Sequence, residues 1–219
     1  MDANAILSHV DHTLLKPEAT RADIKTLCEQ AAAARTASVC INARYVSYAA
    51  GLLRGRVAVC TVVGFPLGAM TCAAKVFEAQ DAIASGADEI DMVVSIGDVR
   101  EGRYEEVEAE IRAVKQAIGS HILKVIVETC LLTDEQKVRL CHTVEAAGAD
   151  YIKTSTGFST GGATADDVAL FARECGGRIK IKAAGGIRSY EDLERFLALG
   201  ADRLGSSSAI RLIREHNAQ

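Results

Sequence analysis

A short motif that ends in Gly-Ala-Asp occurs three times in this chain, as Ser85-Gly86-Ala87-Asp88, Ala147-Gly148-Ala149-Asp150 and Leu199-Gly200-Ala201-Asp202. Each copy follows an amphipathic segment and precedes an apolar run. Glycine often ends a helix because it adopts the left-handed conformation without strain. The short apolar run that follows at once is typical of a buried strand. The repeated unit is therefore a helix that leads directly into a strand of a parallel sheet.

Units of this kind can be followed along the whole chain, and they predict eight strands separated by helices. Thr20, Thr71, Thr133 and Ser189 are expected as helix N-caps, because their hydroxyls can accept hydrogen bonds from free N–H groups of the first turn. The strands are predicted at about 9–14, 38–41, 57–63, 88–94, 122–128, 150–154, 179–183 and 202–205. The helices are predicted at about 20–35, 43–54, 71–85, 103–118, 133–147, 164–175, 189–199 and 207–215.

The number and regularity of these units predict the fold class. No Pro-, Gly- or Ser-rich linker divides the 219 residues, so we expect one α/β domain over residues 1–219. Eight β/α units in a single domain are typical of a TIM (β/α)8 barrel. An open doubly wound sheet is the alternative, and the continuous repeat favours the closed barrel.

Composition excludes several classes of function. The net charge is −4 and there is no basic run, which argues against nucleic-acid binding. The longest apolar stretches are strand-sized, and Met1-Asp2-Ala3-Asn4 lacks the features of a signal peptide, so no membrane association is expected. The seven cysteines contain no C-x-x-C and the five histidines form no ligand motif, so we expect a cytoplasmic protein without a disulfide framework or a metal.

The alternation of residues along the strands places charges inside the barrel. In strand 122–128 the apolar Leu123, Val125 and Val127 share one face and Lys124 lies on the other. Since the apolar faces pack on the helices, the charged faces point inward. Glu89 and Lys180 lie early in their strands, which favours a structural ion network. Asp91, Lys153 and Lys182 lie at strand ends, which favours a role in catalysis.

Two of these strand-end residues are lysines followed by small-residue turns, Lys153 in Ile152-Lys153-Thr154-Ser155-Thr156-Gly157 and Lys182 in Lys182-Ala183-Ala184-Gly185-Gly186. A buried amine costs free energy unless it is paired or used. Two amines close together disfavour each other's charged form, and a neutral lysine is a nucleophile towards carbonyls. The pair indicates Schiff-base chemistry, against the alternative of a surface lysine beside a Ser/Thr loop. Asp91 could relay protons or hold a lysine charged.

The loops after the last two predicted strands suit an anion. They are Ala184-Gly185-Gly186-Ile187 and Leu204-Gly205-Ser206-Ser207-Ser208. In TIM barrels the loops at these two positions frequently bind phosphate, because glycine lets backbone N–H groups approach it. Ordinary turns use the same residues, so each loop alone is a weak signal.

Taken together these motifs resemble the deoxyribose-phosphate aldolases, a family of class I aldolases. The likeness runs to about residue 210 and is carried by Asp11-His12-Thr13-Leu14-Leu15-Lys16-Pro17, Val39-Cys40-Ile41, Val63-Gly64-Phe65-Pro66-Leu67-Gly68, Glu89-Ile90-Asp91-Met92-Val93, Lys124-Val125-Ile126-Val127-Glu128-Thr129, Lys153-Thr154-Ser155-Thr156-Gly157, Lys182-Ala183-Ala184-Gly185-Gly186-Ile187-Arg188 and Gly205-Ser206-Ser207-Ser208. Some relatives end in a longer tail with a terminal tyrosine, whereas the last tyrosine here is Tyr190.

The resemblance implies reversible cleavage of 2-deoxy-D-ribose 5-phosphate to acetaldehyde and D-glyceraldehyde 3-phosphate, at a bond that we place between sugar carbons 3 and 4. It implies that Lys153 forms the Schiff base, that Lys182 favours its neutral form and handles protons, and that Asp91 joins a proton relay. The implied partners are a sugar phosphate and aldehydes, with no cofactor and with a homo-oligomer left open. The implied phosphate-side residues are Gly157, Gly185, Gly186, Ser206 and Ser207.

Two other classes of function remain open at this point. One is a different barrel enzyme acting on a sugar phosphate, such as a transaldolase-like or isomerase-type enzyme, which would need other strand-end residues. The other is a sensor that binds a sugar phosphate without turning it over, because a fold does not fix a function. Intact Lys153, Lys182 and Asp91 argue against both.

Overall fold

The structure, a computed structural model, describes residues 2–218, and the strands of this range close into a parallel barrel in chain order. Pairing of Val10 with Leu204 joins the last strand to the first, which confirms the TIM barrel and excludes the open sheet. The strands are β1 Val10–Leu14, β2 Ser38–Ile41, β3 Ala58–Val63, β4 Glu89–Val93, β5 Ile122–Ile126, β6 Tyr151–Lys153, β7 Lys180–Ala184 and β8 Arg203–Ser206.

Helices cover the outside of the barrel. Two short helices, α1 and α5, were not predicted, because each spans only five residues and carries no amphipathic period. The segment expected as one helix over 43–54 begins instead with a 3₁₀ turn at Ala43–Tyr45. The helices are α1 Ala3–Leu7, α2 Arg21–Ala34, α3 Val46–Leu53, α4 Cys72–Ala84, α5 Ile96–Arg100, α6 Tyr104–Ile118, α7 Asp134–Ala146, α8 Ala165–Cys175, α9 Tyr190–Ala198 and α10 Ala209–Asn217.

The predicted helix starts are confirmed. Thr20, Thr71, Thr133 and Ser189 each occupy an N-cap and accept a hydrogen bond from a backbone N–H in the first turn. Removing such a cap typically costs about 1 kcal/mol. Thr164 caps α8 in the same way and was not predicted, since Ser and Thr are frequent in the preceding loop.

The aspartates of the three Gly-Ala-Asp motifs share one structural role. The carboxylate of Asp88 accepts from the backbone N–H of Val59 at 2.8 Å, while the N–H of Asp88 donates to the carbonyl of Val59 at 2.8 Å. Asp150 makes the same pair of bonds to Leu123, and Asp202 makes them to Ile181. Each aspartate therefore fixes the start of an even-numbered strand against the odd-numbered strand before it. We call these contacts the aspartate clamps.

Two apolar regions lie on opposite sides of the sheet. The larger one packs the outward faces of the strands against the helices, and it contains Leu123, Val125 and Val127 as predicted. Burying one such side chain contributes about 1.5–3 kcal/mol. A small cluster inside the barrel consists of Leu15, Cys40, Cys60 and Val62, with Phe65 packed against it. Among the helices of residues 2–218, none has the length and apolar character needed to cross a bilayer.

Candidate functional site

Charged side chains from six strands meet inside the barrel. All of them are nearly inaccessible to solvent, with at most 9% of the residue surface exposed. Lys180, by contrast, lies exposed at the start of β7 with its Nζ 5.6 Å from the centre of the Tyr151 ring. We call the inward set the interior charge cluster, and it contains Asp11, Glu89, Asp91, Lys124, Lys153, Lys182 and Arg203.

Asp91 is the centre of this cluster. Its Oδ2 accepts hydrogen bonds from Lys153 Nζ at 2.8 Å and from Lys182 Nζ at 2.6 Å. Its Oδ1 accepts from Lys124 Nζ at 2.8 Å and from Cys60 Sγ at 3.1 Å. The carboxylate therefore has four donors, which is about the number that its lone pairs can accept. The two strand-end lysines that the sequence paired meet here through one oxygen, so their Nζ atoms lie no more than 5.4 Å apart.

The neighbouring lysines keep Asp91 ionised. Burial alone would raise the pKa of its carboxyl, but the neighbouring side chains of Lys124, Lys153 and Lys182 outweigh burial and hold that pKa well below its usual range. In this resting arrangement the carboxylate holds three lysines in place and keeps Lys124 and Lys182 protonated, which is one of the two roles that the sequence left open. It has no proton to give until a lysine contact changes.

Asp11 is a second buried carboxylate, and its role could not be assigned from the sequence. It accepts hydrogen bonds from Lys182, from Arg203 and, at 2.7 Å, from Ser38 Oγ. Burial favours its neutral form, but Lys182, Lys124 and Arg203 outweigh burial and lower its pKa. Asp11 and Asp91 in turn outweigh the burial of Lys182 and raise the pKa of that amine, so Lys182 is held as an ammonium.

The base of the cluster is a structural network, as the early-strand position of Glu89 suggested. Glu89 pairs with Lys124 at 2.6 Å and with Arg203 at 3.2 Å. Burial opposes the charge of Lys124, but Asp91, Cys60, Asp11 and Glu89 outweigh it and raise the pKa of the amine. Lys124 therefore bridges the carboxylates of Glu89 and Asp91 as a permanent cation.

The cluster holds one basic side chain more than it holds carboxylates. Three carboxylates, from Asp11, Glu89 and Asp91, face four basic side chains. Lys124, Lys182 and Arg203 are each held protonated by their partners. Lys153 contacts a single carboxylate oxygen and lies at the open end of the barrel. Loss of a proton from Lys153 would leave the interior without net charge, and the free amine would be a nucleophile.

A cavity of about 270 Å³ opens above Lys153 at the carboxyl ends of the strands. Four of the five residues expected on the phosphate side line it, namely Gly157, Gly185, Gly186 and Ser207. The fifth, Ser206, is buried, and its Oγ accepts from the N–H groups of Ser208 and Ala209 at the start of α10. The remaining lining residues are Thr13, Leu14, Leu15, Lys16, Thr156, Phe158, Ala184 and Gly205.

The loops beside the cavity depend on close backbone approach. Gly157, Gly185 and Gly186 all have positive φ, near +80°, where other residues are strained. A Cβ on Gly162, a glycine whose role was not predicted, would lie 2.5 Å from the Gly185 carbonyl. The loops after β6 and β7 can therefore touch each other only because both are glycine there.

Glu128 and Thr156 are a further pair that the sequence did not single out. Glu128 follows β5 with φ +55°, and its buried carboxylate accepts from the Thr156 backbone N–H at 3.2 Å and from the Thr156 hydroxyl. Thr156 lines the cavity. The inward parity of Glu128 was visible in the sequence, but its target lies in another loop.

Two buried trios in the described chain bring metal-ligating groups together, Cys40 with Cys60 and Asp91, and Asp11 with Cys60 and Glu89. Both oxygens of Asp91 already accept from lysines, and burial raises the pKa of Cys60 well above its usual value. Asp91 and Cys60 are therefore poor metal ligands in this arrangement. The expectation that the protein needs no metal stays a prediction.

Comparison with known proteins gives a consistent result. The model of the DeoC/LacD family aldolases matches residues 5–207. A deoxyribose-phosphate aldolase of Streptococcus agalactiae serotype Ia is 55% identical over all of this chain and 98% of its own length, and one from Clostridium botulinum strain Eklund 17B is 52% identical over all of this chain and 99% of its own. The solved tetrameric deoxyribose phosphate aldolase of Aeropyrum pernix superimposes with a TM-score of 0.89 at 32% identity, over 99% of this chain and 93% of that one.

Proposed function

This chain belongs to the DeoC/LacD family of aldolases, and we propose that it reversibly cleaves 2-deoxy-D-ribose 5-phosphate to acetaldehyde and D-glyceraldehyde 3-phosphate through a Schiff base on Lys153. The observation that carries the proposal is the charge balance of the interior cluster. Three carboxylates are matched by Lys124, Lys182 and Arg203, so Lys153 at the cavity floor can lose its proton without leaving net charge inside the barrel.

The first half of the reaction forms the iminium. The Lys153 nitrogen attacks the C1 carbonyl of the open-chain sugar and gives a carbinolamine. The C1 hydroxyl leaves as water when it receives a proton, and we assign that proton to the Lys182 ammonium, because both lysines bond the same oxygen of Asp91. One of the two protons of the amine moves to the C1 oxygen as the carbinolamine forms, and the other stays on nitrogen in the protonated iminium. With the proton from Lys182, the C1 oxygen leaves as water, so no other reactant is needed.

The second half breaks a carbon–carbon bond. Acetaldehyde contains carbons 1 and 2, so the bond that breaks lies between carbons 2 and 3, and the expected cleavage between carbons 3 and 4 was wrong. As the C3 hydroxyl gives its proton to the Lys182 amine, which the loss of water left neutral, the electron pair of the C2–C3 bond moves into the iminium and leaves an enamine. Protonation of the enamine at C2 and hydrolysis by water release acetaldehyde and restore Lys153. The iminium is the electron sink, so we expect activity to survive exhaustive treatment with EDTA.

Borohydride trapping tests the nucleophile. The native chain incubated with acetaldehyde and borohydride should gain one ethyl group, and peptide mapping should place it on Lys153. Lys153→Ala should lose the adduct and nearly all turnover while it keeps the parent's thermal stability. Lys180→Ala, at the opposite end of the barrel, is the matched control and should trap like the parent. An adduct on Lys182 or Lys124 would overturn the assignment.

We further propose that the protein acts in the cytoplasm and associates with copies of itself. The seven cysteines are free thiols, which suits a reducing compartment. Leu67 and Phe77 are large apolar side chains with 71% and 72% of their surface exposed, and the Aeropyrum pernix relative is described as a tetramer. Light scattering of the native chain and of Phe77→Ser tests the association; a monomer in both would refute it.

A further inference from the structure

We propose that Lys16, on the loop between β1 and α2, binds the phosphate of the substrate and makes the enzyme selective for phosphorylated sugars. The inference rests on the proposed function, because it needs a substrate whose carbonyl end reaches Lys153. It adds a cationic side chain from the first strand to an anion site otherwise formed by backbone and hydroxyl groups of the last two loops. The sequence predicted no individual role for Lys16, which is part of the motif at 11–17.

Charge is the first reason. Two lysine side chains are found among the residues that line the cavity, Lys153 and Lys16. Lys153 is consumed as the nucleophile, and the other cations of the barrel are paired with buried carboxylates. A phosphate monoester carries a charge of about −1.5 to −2 at neutral pH. Lys16 is therefore the lining side chain that can offset this charge, and lysine binds phosphate well as a point charge.

Position is the second reason. Leu14, Leu15, Lys16 and Thr13 form one wall of the cavity, while Gly185, Gly186 and Ser207 form another. Phe158, on the loop after β6, also lines the cavity. Its ring packs edge-on against the ring of Phe65, with the two centroids 5.2 Å apart. Phe158 brings no charge to that side of the cavity, so the positive charge comes from the β1 side, where Lys16 lies.

The loop that carries Lys16 is held in place from outside the cavity. Asn42 Nδ2 donates to the carbonyls of Leu15, at 3.2 Å, and Lys16, at 3.5 Å. The Tyr45 hydroxyl donates to the carbonyl of Ala19 at 2.5 Å. The backbone is thus fixed while the Lys16 side chain is exposed and takes part in no ion pair seen among residues 2–218. A fixed backbone with an unpaired cation suits a ligand that supplies the missing charge.

A structural role for Lys16 is the competing explanation. Lys16 also borders a second cavity of about 540 Å³, which Glu18 and Asp23 line as well. The Asp23 carboxylate is already bonded to the N–H and hydroxyl of Thr20 in the cap of α2. Glu18 is the remaining carboxylate that could pair with Lys16 and stabilise the loop. A substitution at Glu18 therefore separates the two explanations.

The experiment compares Lys16→Met, Lys16→Arg and Glu18→Gln with the parent, on 2-deoxyribose 5-phosphate and on 2-deoxyribose. Loss of a hydrogen bond to a charged group should raise the KM of Lys16→Met for the phosphorylated sugar by about 10-fold or more. We expect its KM for 2-deoxyribose to stay within about 2-fold of the parent, Lys16→Arg to recover most of the loss, and Glu18→Gln to behave like the parent. Binding of inorganic phosphate, measured by calorimetry, should weaken in Lys16→Met alone.

Three results would overturn the inference. The first is an unchanged KM ratio between the two sugars in Lys16→Met, and the second is a Glu18→Gln variant that reproduces the Lys16→Met defect. The third is phosphate binding that does not depend on Lys16. A parent that fails to cleave 2-deoxyribose 5-phosphate and traps no acetaldehyde on Lys153 would refute the proposed function instead, and the calorimetry would still decide whether Lys16 binds phosphate.

Discussion

Replacing Asp91 by asparagine should destabilise the protein by unbalancing its interior. With Lys153 neutral, the cluster holds three negative and three positive charges, and Asp91→Asn leaves one buried cation without a counter-charge. Removing one partner of a buried ion pair costs roughly 3–5 kcal/mol. For a domain of this size each kcal/mol lowers the melting temperature by about 2–4 °C, so the expected fall is about 6–20 °C.

The cause of that loss can be isolated with a second substitution. Lys124 bonds Oδ1 of Asp91 at 2.8 Å, and Lys124→Met alone should cost a similar amount because it leaves a carboxylate unpaired. In Asp91→Asn with Lys124→Met, two negative charges again face two positive charges. The double variant should therefore recover most of the stability, with a coupling free energy of about 3 kcal/mol or more.

Guanidinium unfolding followed by circular dichroism gives the four free energies of this cycle. All four proteins should unfold in a single transition with a similar dependence on denaturant. If the two losses simply add, charge balance does not govern the interior, and the argument for a neutral Lys153 loses its basis.

Three further predictions concern the same cluster. Lys182→Leu removes an ammonium beside Lys153, so the rate of borohydride-trapped adduct formation should rise at more alkaline pH than in the parent. Lys182→Arg keeps the charge and should keep more of the parent's pH profile. Superimposable profiles would mean that Lys182 does not set the charge of Lys153. Gly205→Ala places a Cβ 2.9 Å from Ala184 Cβ and 3.3 Å from Lys182 Cε, so we expect a loss of about 1–3 kcal/mol in stability and slower trapping; unchanged trapping would show that Lys182 has room to move. The pKa of Asp11 and that of Asp91 are lowered in the folded state, so the stability that they contribute is complete above about pH 4 and is lost as the pH falls further. The melting temperature of Asp91→Asn should therefore fall less steeply below pH 4 than that of the parent. Parallel curves of melting temperature against pH would contradict this.

The fold could be predicted from the sequence because its signals are local. A glycine that ends a helix, the strand that follows it and a Ser or Thr cap all lie within a few residues of one another. Strand parity likewise separates Leu123 from Lys124 without any knowledge of the neighbouring strand. The short helices α1 and α5 were missed because five residues do not make an amphipathic period.

The candidate site could be predicted only in part, because its contacts span the chain. Lys182 bonds Asp11 across 171 positions and Asp91 across 91. Parity shows that these side chains point inward, but the tilt of the strands decides which of them meet, and a single sequence does not reveal the tilt. The sequence therefore suggested that Lys153 and Lys182 repel each other directly, whereas the structure places the Asp91 carboxylate in contact with both amines.

The aspartate clamps divide the barrel into consecutive pairs of strands. Asp88 joins β3 to β4, Asp150 joins β5 to β6, and Asp202 joins β7 to β8, while at β1 and β2 the matching position is Ala37, whose N–H donates to the Val10 carbonyl without a carboxylate. A polypeptide interrupted between pairs, near Ser120, would keep all three clamps within its fragments. An interruption near Gly148 would separate Asp150 from Leu123. The barrel should therefore reassemble from two pieces far better at the first site than at the second, as expected of a molecule built from two-strand modules.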